Sequence, residues 1–318
     1  MRPSFPAGRA AVCGCALLLF GRPARGADHV TRPCAGVMVT ERVVEAPRAA
    51  RLLVAQVALG TTGLTVRVTP PAGPREVTRE TTLGFLTRTG ACVAVNGHFF
   101  LPFPSEDADA WVIGLAASDG RVFSAFETPE QDYAIVADAP ALHVTAKGRA
   151  RIVHRRPGGD GTRMRERGRL WTAVAGSAQV VTRGRVSIPA YRDATHPAAA
   201  LRPGPDGRYD TGRSWYDLVT SRTIAGVSRD GRTLTLATVQ GPARGDGLTV
   251  GEFAAVLARD FGVWDAINLD GGGSTSMAWR DPSNGRPALL TTSTESPEGR
   301  RVATSLAVIA PPVTDARR

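Results

Sequence analysis

Lysine is almost missing from this chain of 318 residues: Lys147 is the only one, so 38 of the 39 basic residues are arginine. Asparagine is as scarce, with Asn96, Asn268 and Asn284 alone. Cysteine occurs four times, and aromatic side chains make up only 6% of the sequence. Each shortage excludes something. No lysine follows a glycine-rich loop, so there is no phosphate-loop nucleotide site. No two histidines stand at helical spacing and no Cys-x-x-Cys occurs, so zinc-site spacing is missing. The densest basic run, Arg149 to Arg169, holds no aromatic and is broken by Pro157, Gly158, Gly159 and Gly161. That argues against a base-stacking nucleic-acid surface and for a solvated loop with weak attraction to anions. No stretch of the body has the apolar length of a membrane span.

What is present points to export. Arg2, Arg9, Arg22 and Arg25 lie in the first 27 residues, where there is no acid, and they account for part of the formal charge of +10. A basic start, an apolar stretch from Ala10 to Phe20 and the small residues of Ala24-Arg25-Gly26-Ala27 have the organisation of a signal peptide. We expect residues 1–27 to be that signal and residues 28–318 to form one domain. The expected location is secreted, extracellular or in the cell envelope. Removing the signal takes Cys13 and Cys15 and leaves Cys34 and Cys92, either one disulfide or two buried thiols.

Abundant glycine, proline and threonine with few long helical periods favours strands and turns. The expected class is α+β: strand-rich mixed sheets with a few packed helices in a single catalytic domain. Leu52 to Val68 alternates around Gly60-Thr61-Thr62-Gly63 and reads as a hairpin. Thr78 to Thr89 reads as a short helix stopped by Gly90. Cys92 to Val95 is a buried strand, and Leu142 to Val153 another. Trp171 to Val181 reads as strand, turn, strand. Residues 189–217 form a long loop in which Trp215 and Tyr216 either stack on a sugar or pack in the core. Thr223 to Val227 and Thr233 to Val239 flank a turn. Residues 250–261 are the clearest helix, with Thr249 and Glu252 as a capping box and Gly262 as the stop. Val302 to Ile309 is the closing strand.

The densest chemical signal is Ile267-Asn268-Leu269-Asp270-Gly271-Gly272-Gly273-Ser274. In a strand, Ile267 and Leu269 share one face while Asn268 and Asp270 share the other. Bare peptide follows at Gly271, Gly272 and Gly273, whose N–H groups suit an anion, and Ser274, Thr275 and Ser276 add hydroxyls. A glycine-rich turn capped by an aspartate is the plainer reading. The second strand-end asparagine, Asn96 before Gly97 and His98, argues for a shared site. Thr275-Ser276-Met277-Ala278 and Asp210-Thr211-Gly212 mimic protease boxes. No histidine lies between Asp210 and Ser276, so the Asp, His, Ser order of subtilisin-like proteases cannot be built. No metal or cofactor is expected, with a calcium ion on Asp270 and backbone carbonyls the one open alternative.

Ala94-Val95-Asn96-Gly97-His98-Phe99-Phe100 resembles the A-I-N-G-G-[FY]-F element of the phosphodiester glycosidase family. Arg222-Thr223-Ile224-Ala225-Gly226 with Asp230-Gly231, then Asn268 to Ser274, then Arg301-Val302 through Val308 follow in that family's order over roughly residues 80–310. His98, Gln240 and Thr304 depart from its pattern of glycine, aspartate and asparagine, and Ser274-Thr275-Ser276 replaces Ser-Ser-Thr. The resemblance implies a hydrolase that cleaves a sugar-1-phosphodiester in a glycan or cell-envelope polymer such as an exopolysaccharide, with a carbohydrate or sugar phosphate as its partner. Its phosphate is a good leaving group, so a strong general acid matters little. Asp270 would be nucleophile, base or electrostatic stabiliser. Asn96 and Asn268 would hold sugar hydroxyls or water, and Arg222 would grip phosphate unless it is a structural ion-pair partner. Gly271, Gly272 and Gly273 would supply amide donors, with Ser274 and Ser276 beside them. His98 would transfer a proton, touch substrate or do neither. Two alternatives remain: a carbohydrate-binding protein on the same fold without turnover, motivated by Gln240 and Thr304, and a serine hydrolase using Ser276.

Overall fold

Every strand ladder among the described residues is antiparallel. The computed structural model describes residues 28–126, 139–158, 160–188, 216, 218–243, 246–291 and 296–313. The expected signal segment and, apart from Tyr216 and Leu218 onward, the expected 189–217 loop with Trp215 lie outside them.

Three sheets carry the fold. The largest has eight strands in the order His29–Cys34, Val37–Val44, Ala50–Ala58, Thr233–Gln240, Arg222–Val227, Asp265–Asn268, Ala178–Thr182 and Arg185–Val186. The second has five, Pro287–Leu289, Met277–Arg280, Val93–Asn96, Ser305–Ile309 and Thr65–Val68. The third also has five, Arg121–Ser124, Ala116–Ser118, Thr172–Ala175, Ala141–Val144 and Ala150–Val153. Smaller two- and three-stranded sheets complete it. The α+β expectation holds, with strands far outnumbering the two α-helices among the described residues, α1 (Thr82–Thr89) and α2 (Val250–Asp260).

The apolar pattern explains the layering. Leu53, Ala55, Ala225 and Ile267 of the first sheet meet Val66, Val93, Val95 and Leu306 of the second, with Leu142, Ile152 and Val174 of the third closing that core. The alternate residues Leu52, Val54, Ile224 and Ala266 face away and pack under Phe253, Ala254 and Leu257 of α2. On the second sheet Ala94, Ala278 and Ala307 lie under Phe85 and Leu86 of α1. Both faces of the central strands are thus covered, which is why their sequences read as continuous apolar runs.

Helix limits follow their caps. The Thr249 hydroxyl accepts the Glu252 N–H at 3.1 Å and the Glu252 carboxylate accepts the Thr249 N–H at 2.8 Å, the expected capping box. Thr81 caps α1 by accepting the Gly84 N–H at 3.0 Å, and Gly90 ends it at φ +66°. The helix begins later than Thr78 because Val77–Thr78 and Glu80–Thr81 pair as short strands.

Two expectations are corrected. Leu52 to Val68 is not a hairpin: Ala50–Ala58 is flanked by Val37–Val44 and Thr233–Gln240, while Thr65–Val68 pairs with Ser305–Ile309 in the second sheet. The turn at Gly60–Gly63 carries the chain between sheets, and alternation alone does not name the partner. Leu142 to Val153 is two strands, Ala141–Val144 and Ala150–Val153, folded on each other around Lys147-Gly148. The strand–turn–strand at Trp171 to Val181 forms, with Thr172–Ala175 and Ala178–Thr182 in different sheets.

Cys34, at the end of a first-sheet strand, is disulfide-bonded to Cys92, which precedes the second-sheet strand Val93–Asn96. The bridge closes a separation of 58 residues, which corresponds to about 4 kcal/mol of unfolded-state constraint. Replacing both cysteines by alanine is expected to lower unfolding stability by about 2–4 kcal/mol, read from denaturant midpoints. A double variant as stable as the wild type would show that the bridge does not hold the sheets together.

Candidate active site

Strands of two different sheets end together. Arg222–Val227 pairs with Asp265–Asn268 with Ile224 opposite Asn268, so the same register carried two residues on sets Arg222 across from Asp270. The Leu269 N–H donates to the Thr223 carbonyl at 2.9 Å and the Gly272 N–H to the Ser221 carbonyl at 2.7 Å. From the second sheet, Val93–Asn96 delivers Asn96 and Gly97 to the same edge, where the Asp270 N–H donates to the Gly97 carbonyl at 3.0 Å.

The Asn96 side chain ties these segments. Its Nδ2 donates to the Asp270 carbonyl at 2.8 Å and the Gly97 carbonyl at 3.1 Å. Its Oδ1 accepts the Thr223 hydroxyl at 2.7 Å and the Ser276 N–H at 3.0 Å. Asn96 is fully buried, and two donors and two acceptors are all an amide side chain offers. The expected contact with sugar or water is therefore replaced by a positioning role.

Asp270 is 9% exposed, and burial pushes its carboxyl up to about 6. Hydrogen bonds from the Ser274 hydroxyl and the Gly271 N–H, then the charges of Arg300 and Arg222, oppose that rise. The Gly271 N–H lies 2.8 Å from Oδ1. Glycine is favoured at 272, where φ is +57°, and at 273 a Cβ would displace the Arg300 guanidinium from its present place. The Gly272 amide is engaged by Ser221 rather than free, whereas the Gly273 N–H has no partner among the described residues. Of the three amides expected as donors, Gly271 is taken by Asp270 and Gly272 by Ser221, so the run offers one open amide, Gly273.

Arg222 lies at this edge, 2% exposed, with Nε donating to the Leu248 carbonyl at 3.4 Å and Nη2 to the Leu218 carbonyl. It acts on Asp270 through its charge rather than through a direct ion pair. Arg300 was not singled out from the sequence. Its Nη1 donates to the Ser274 hydroxyl at 3.2 Å, and its guanidinium lies over Phe103, 5.1 Å from the ring centroid. The available signal was the Arg300-Arg301 pair: Arg301 turns away and donates to the Arg79 carbonyl.

The remaining candidates divide. Asn268 donates to the Ser177 hydroxyl at 3.1 Å and the Leu269 carbonyl at 2.7 Å, and its Oδ1 is buried without a partner. Tyr216 is in the core and donates to the same Ser177 hydroxyl at 3.2 Å. His98 is 2% exposed beside Phe99, and burial pushes its imidazole down to about 3. It is neutral at pH 7 and has no acidic proton to give there. The Thr304 hydroxyl accepts the His98 N–H at 3.3 Å. Ser276 is 1% exposed with its hydroxyl unpartnered, so no base activates it among the described residues. Among those residues no three His, Cys, Asp or Glu side chains group to hold a metal, and no helix is long and apolar enough to cross a membrane.

Two stability outcomes follow. Asn96→Leu leaves the Thr223 hydroxyl, the Ser276 N–H and the Asp270 carbonyl without their partner, and is expected to cost about 3–5 kcal/mol in denaturant unfolding. A cost under about 1 kcal/mol would remove Asn96 from the tie. The folded Asp270 keeps its proton to about pH 6, against an ordinary value of 3.8. The native state therefore binds more protons between those values, and stability falls as pH rises through that window by up to about 3 kcal/mol. Asp270→Asn is expected to remove this fall and to be the more stable protein at pH 7. Parallel stability curves for the two proteins from pH 4 to 7 would contradict it.

The phosphodiester glycosidase family model matches residues 89–309. Among solved structures, the catalytic domain of zebrafish N-acetylglucosamine-1-phosphodiester alpha-N-acetylglucosaminidase, auto-inhibited by its pro-peptide, is similar. Its identity is 18% and TM-score 0.57, over 93% of this chain and 91% of that one. A Synechocystis protein matches at 16% identity and TM-score 0.55, over 89% of this chain and 64% of its own length. A Burkholderia pseudomallei K96243 protein matches at 18% and 0.53, over 84% and 75%. This chain therefore spans less than two thirds of the Synechocystis protein. A search of the curated proteins found no significant match.

Proposed function

The chain belongs to the phosphodiester glycosidase family, and we propose that it is a glycosidase-type hydrolase that cleaves the bond between a sugar's anomeric carbon and a phosphodiester oxygen. The observation that carries this reading is the charge set around Asp270. Among the described residues, the charged groups acting on it are two guanidiniums, Arg300 and Arg222, and no carboxylate. An ordinary glycosidase uses two carboxyl groups, one of them to protonate a poor alkoxide leaving group. A carboxylate flanked by cations, with no second carboxyl beside it among the described residues, suits a leaving group that departs without a proton, and a phosphodiester is one.

The chemistry then runs as follows. The bond from the anomeric carbon to the phosphate oxygen breaks, its electron pair leaving with phosphate while positive charge grows on the ring. The ionised Asp270 carboxylate stabilises that charge, as an electrostatic partner, a nucleophile or a base to the incoming water. Arg300 and the Gly273 N–H face the departing oxygens, where guanidinium and amide donors count most. Arg222 holds the edge of the sheet and adds field. Asn268, fully buried and bonded to Ser177 and the Leu269 carbonyl, supports the strand end from beneath rather than touching the sugar. A glycan or cell-envelope polymer is the proposed source of the substrate, and secretion the proposed setting. The Cys34–Cys92 disulfide supports an oxidising compartment.

Release of free sugar from a panel of sugar-1-phosphate diesters tests the reading. The wild type is expected to turn over, with Asp270→Asn about 1000-fold slower or worse and Arg300→Gln about 100-fold slower. The rate is expected to rise with pH through about 6 as Asp270 ionises, and His98→Gln should leave that limb in place. Equal turnover of neutral alkyl glycosides would overturn the phosphate assignment. Saturable binding of sugar phosphates without turnover would leave a carbohydrate-binding protein.

A further inference from the structure

Away from Asp270, the arginine-rich run read from sequence as a solvated loop does more than coat the surface. It lines a cavity of about 950 Å³ with five guanidinium side chains, Arg156, Arg163, Arg165, Arg167 and Arg169. That volume is at the upper end of the range for ligand pockets, about 300–1,000 Å³. One carboxylate, Glu166, faces the same space among the described residues. It is already engaged: its oxygens accept the His154 N–H and meet His154 Nδ1, each at 2.9 Å, and Arg165 lies 3.5 Å away. Arg156, Arg163, Arg167 and Arg169 have no ion pair among the described residues.

Like charges do not gather unless the backbone holds them. Here the Arg156 N–H donates to the Arg163 carbonyl at 2.9 Å and the Arg165 N–H to the His154 carbonyl at 2.7 Å. Arg151 Nη2 donates to the Arg167 carbonyl at 2.7 Å. Burial alternates along the run: Met164 and Leu170 are inside, while Arg163, Arg165, Arg167 and Arg169 are exposed. The segment is therefore pinned from below with its guanidiniums on the outer side.

We propose that this cleft is a binding site for an anionic glycan, gripping successive phosphate or sulfate esters with arginine forks. Guanidinium matches the geometry of such tetrahedral anions better than ammonium does. The lining holds no aromatic side chain on which a nucleobase would stack, so a glycan is favoured over a single-stranded nucleic acid. The proposal does not depend on Asp270 being catalytic.

The test uses the full chain and calorimetric titration with dextran sulfate, neutral dextran and a single-stranded oligodeoxynucleotide matched in charge to the dextran sulfate, at two salt concentrations. Wild type is expected to bind dextran sulfate with salt-sensitive affinity and to ignore neutral dextran. A triple variant, Arg163→Gln, Arg167→Gln and Arg169→Gln, removes no side-chain bond described above and should melt as the wild type does. Its affinity for dextran sulfate should fall at least tenfold, with a shallower salt dependence, while Asp270→Asn keeps wild-type affinity. Wild-type affinity in the triple variant, no binding in the wild type, or tighter binding of the oligonucleotide than of dextran sulfate would each overturn the proposal.

Discussion

The arrangement depends on one buried amide. Asn96 is fully buried, and its side chain joins the Asp270 carbonyl, the Gly97 carbonyl, the Thr223 hydroxyl and the Ser276 N–H. Those partners belong to the ends of strands in both large sheets and to the loop after Asp265–Asn268. An amide can bridge two donors and two acceptors only when all four arrive in one geometry. In a buried setting a missed bond carries a full desolvation penalty. The tie therefore fixes where the backbone of Asp270 sits before any substrate arrives.

Placing the acid there sets up a trade between stability and chemistry. Burial raises the Asp270 carboxyl, and the surrounding Ser274 hydroxyl, Gly271 N–H and two guanidiniums recover only part of that rise. A site held in this balance keeps its carboxylate poorly solvated and close to its ionisation point, which is what the proposed reaction asks of Asp270. The three glycines serve the same end. Gly271 brings backbone close to Ser221 and Arg222 and Gly273 to Arg300, and the Gly273 amide stays open among the described residues while Gly272 anchors to Ser221.

The basic run and the acid centre divide the molecule's charge between two tasks. Around Asp270 the guanidiniums are anchored to carbonyls or a hydroxyl and shape the field of one carboxylate. Along Arg156–Arg169 they are exposed and largely unpaired, held by backbone bonds beneath them. Anchored arginine acts on a fixed atom; solvated arginine attracts whatever anion diffuses near.

The amino-acid order determined the local features: the capping box at Thr249 and Glu252, the two strands around a turn from Thr223 to Val239, and the buried runs around Val93 and Ile267. It also grouped Asn96, Asn268 and Asp270 in one expected site, because polar residues on such apolar strands need company; the structure joins Asn96 to the Asp270 carbonyl, while Asn268 bonds Ser177 and Leu269. Periodicity and capping are short-range, so they are legible in one dimension. Partner choice is not. Only the tertiary structure decided that Thr65–Val68 leaves Ala50–Ala58 to join Ser305–Ile309, since both pairings satisfy the same alternation. It alone showed that Asn96 is fully engaged, that His98 is sealed and neutral, and that Arg300 rather than Arg301 reaches Ser274. Burial and hydrogen-bond completeness arise from segments far apart in the chain, and no local pattern carries them.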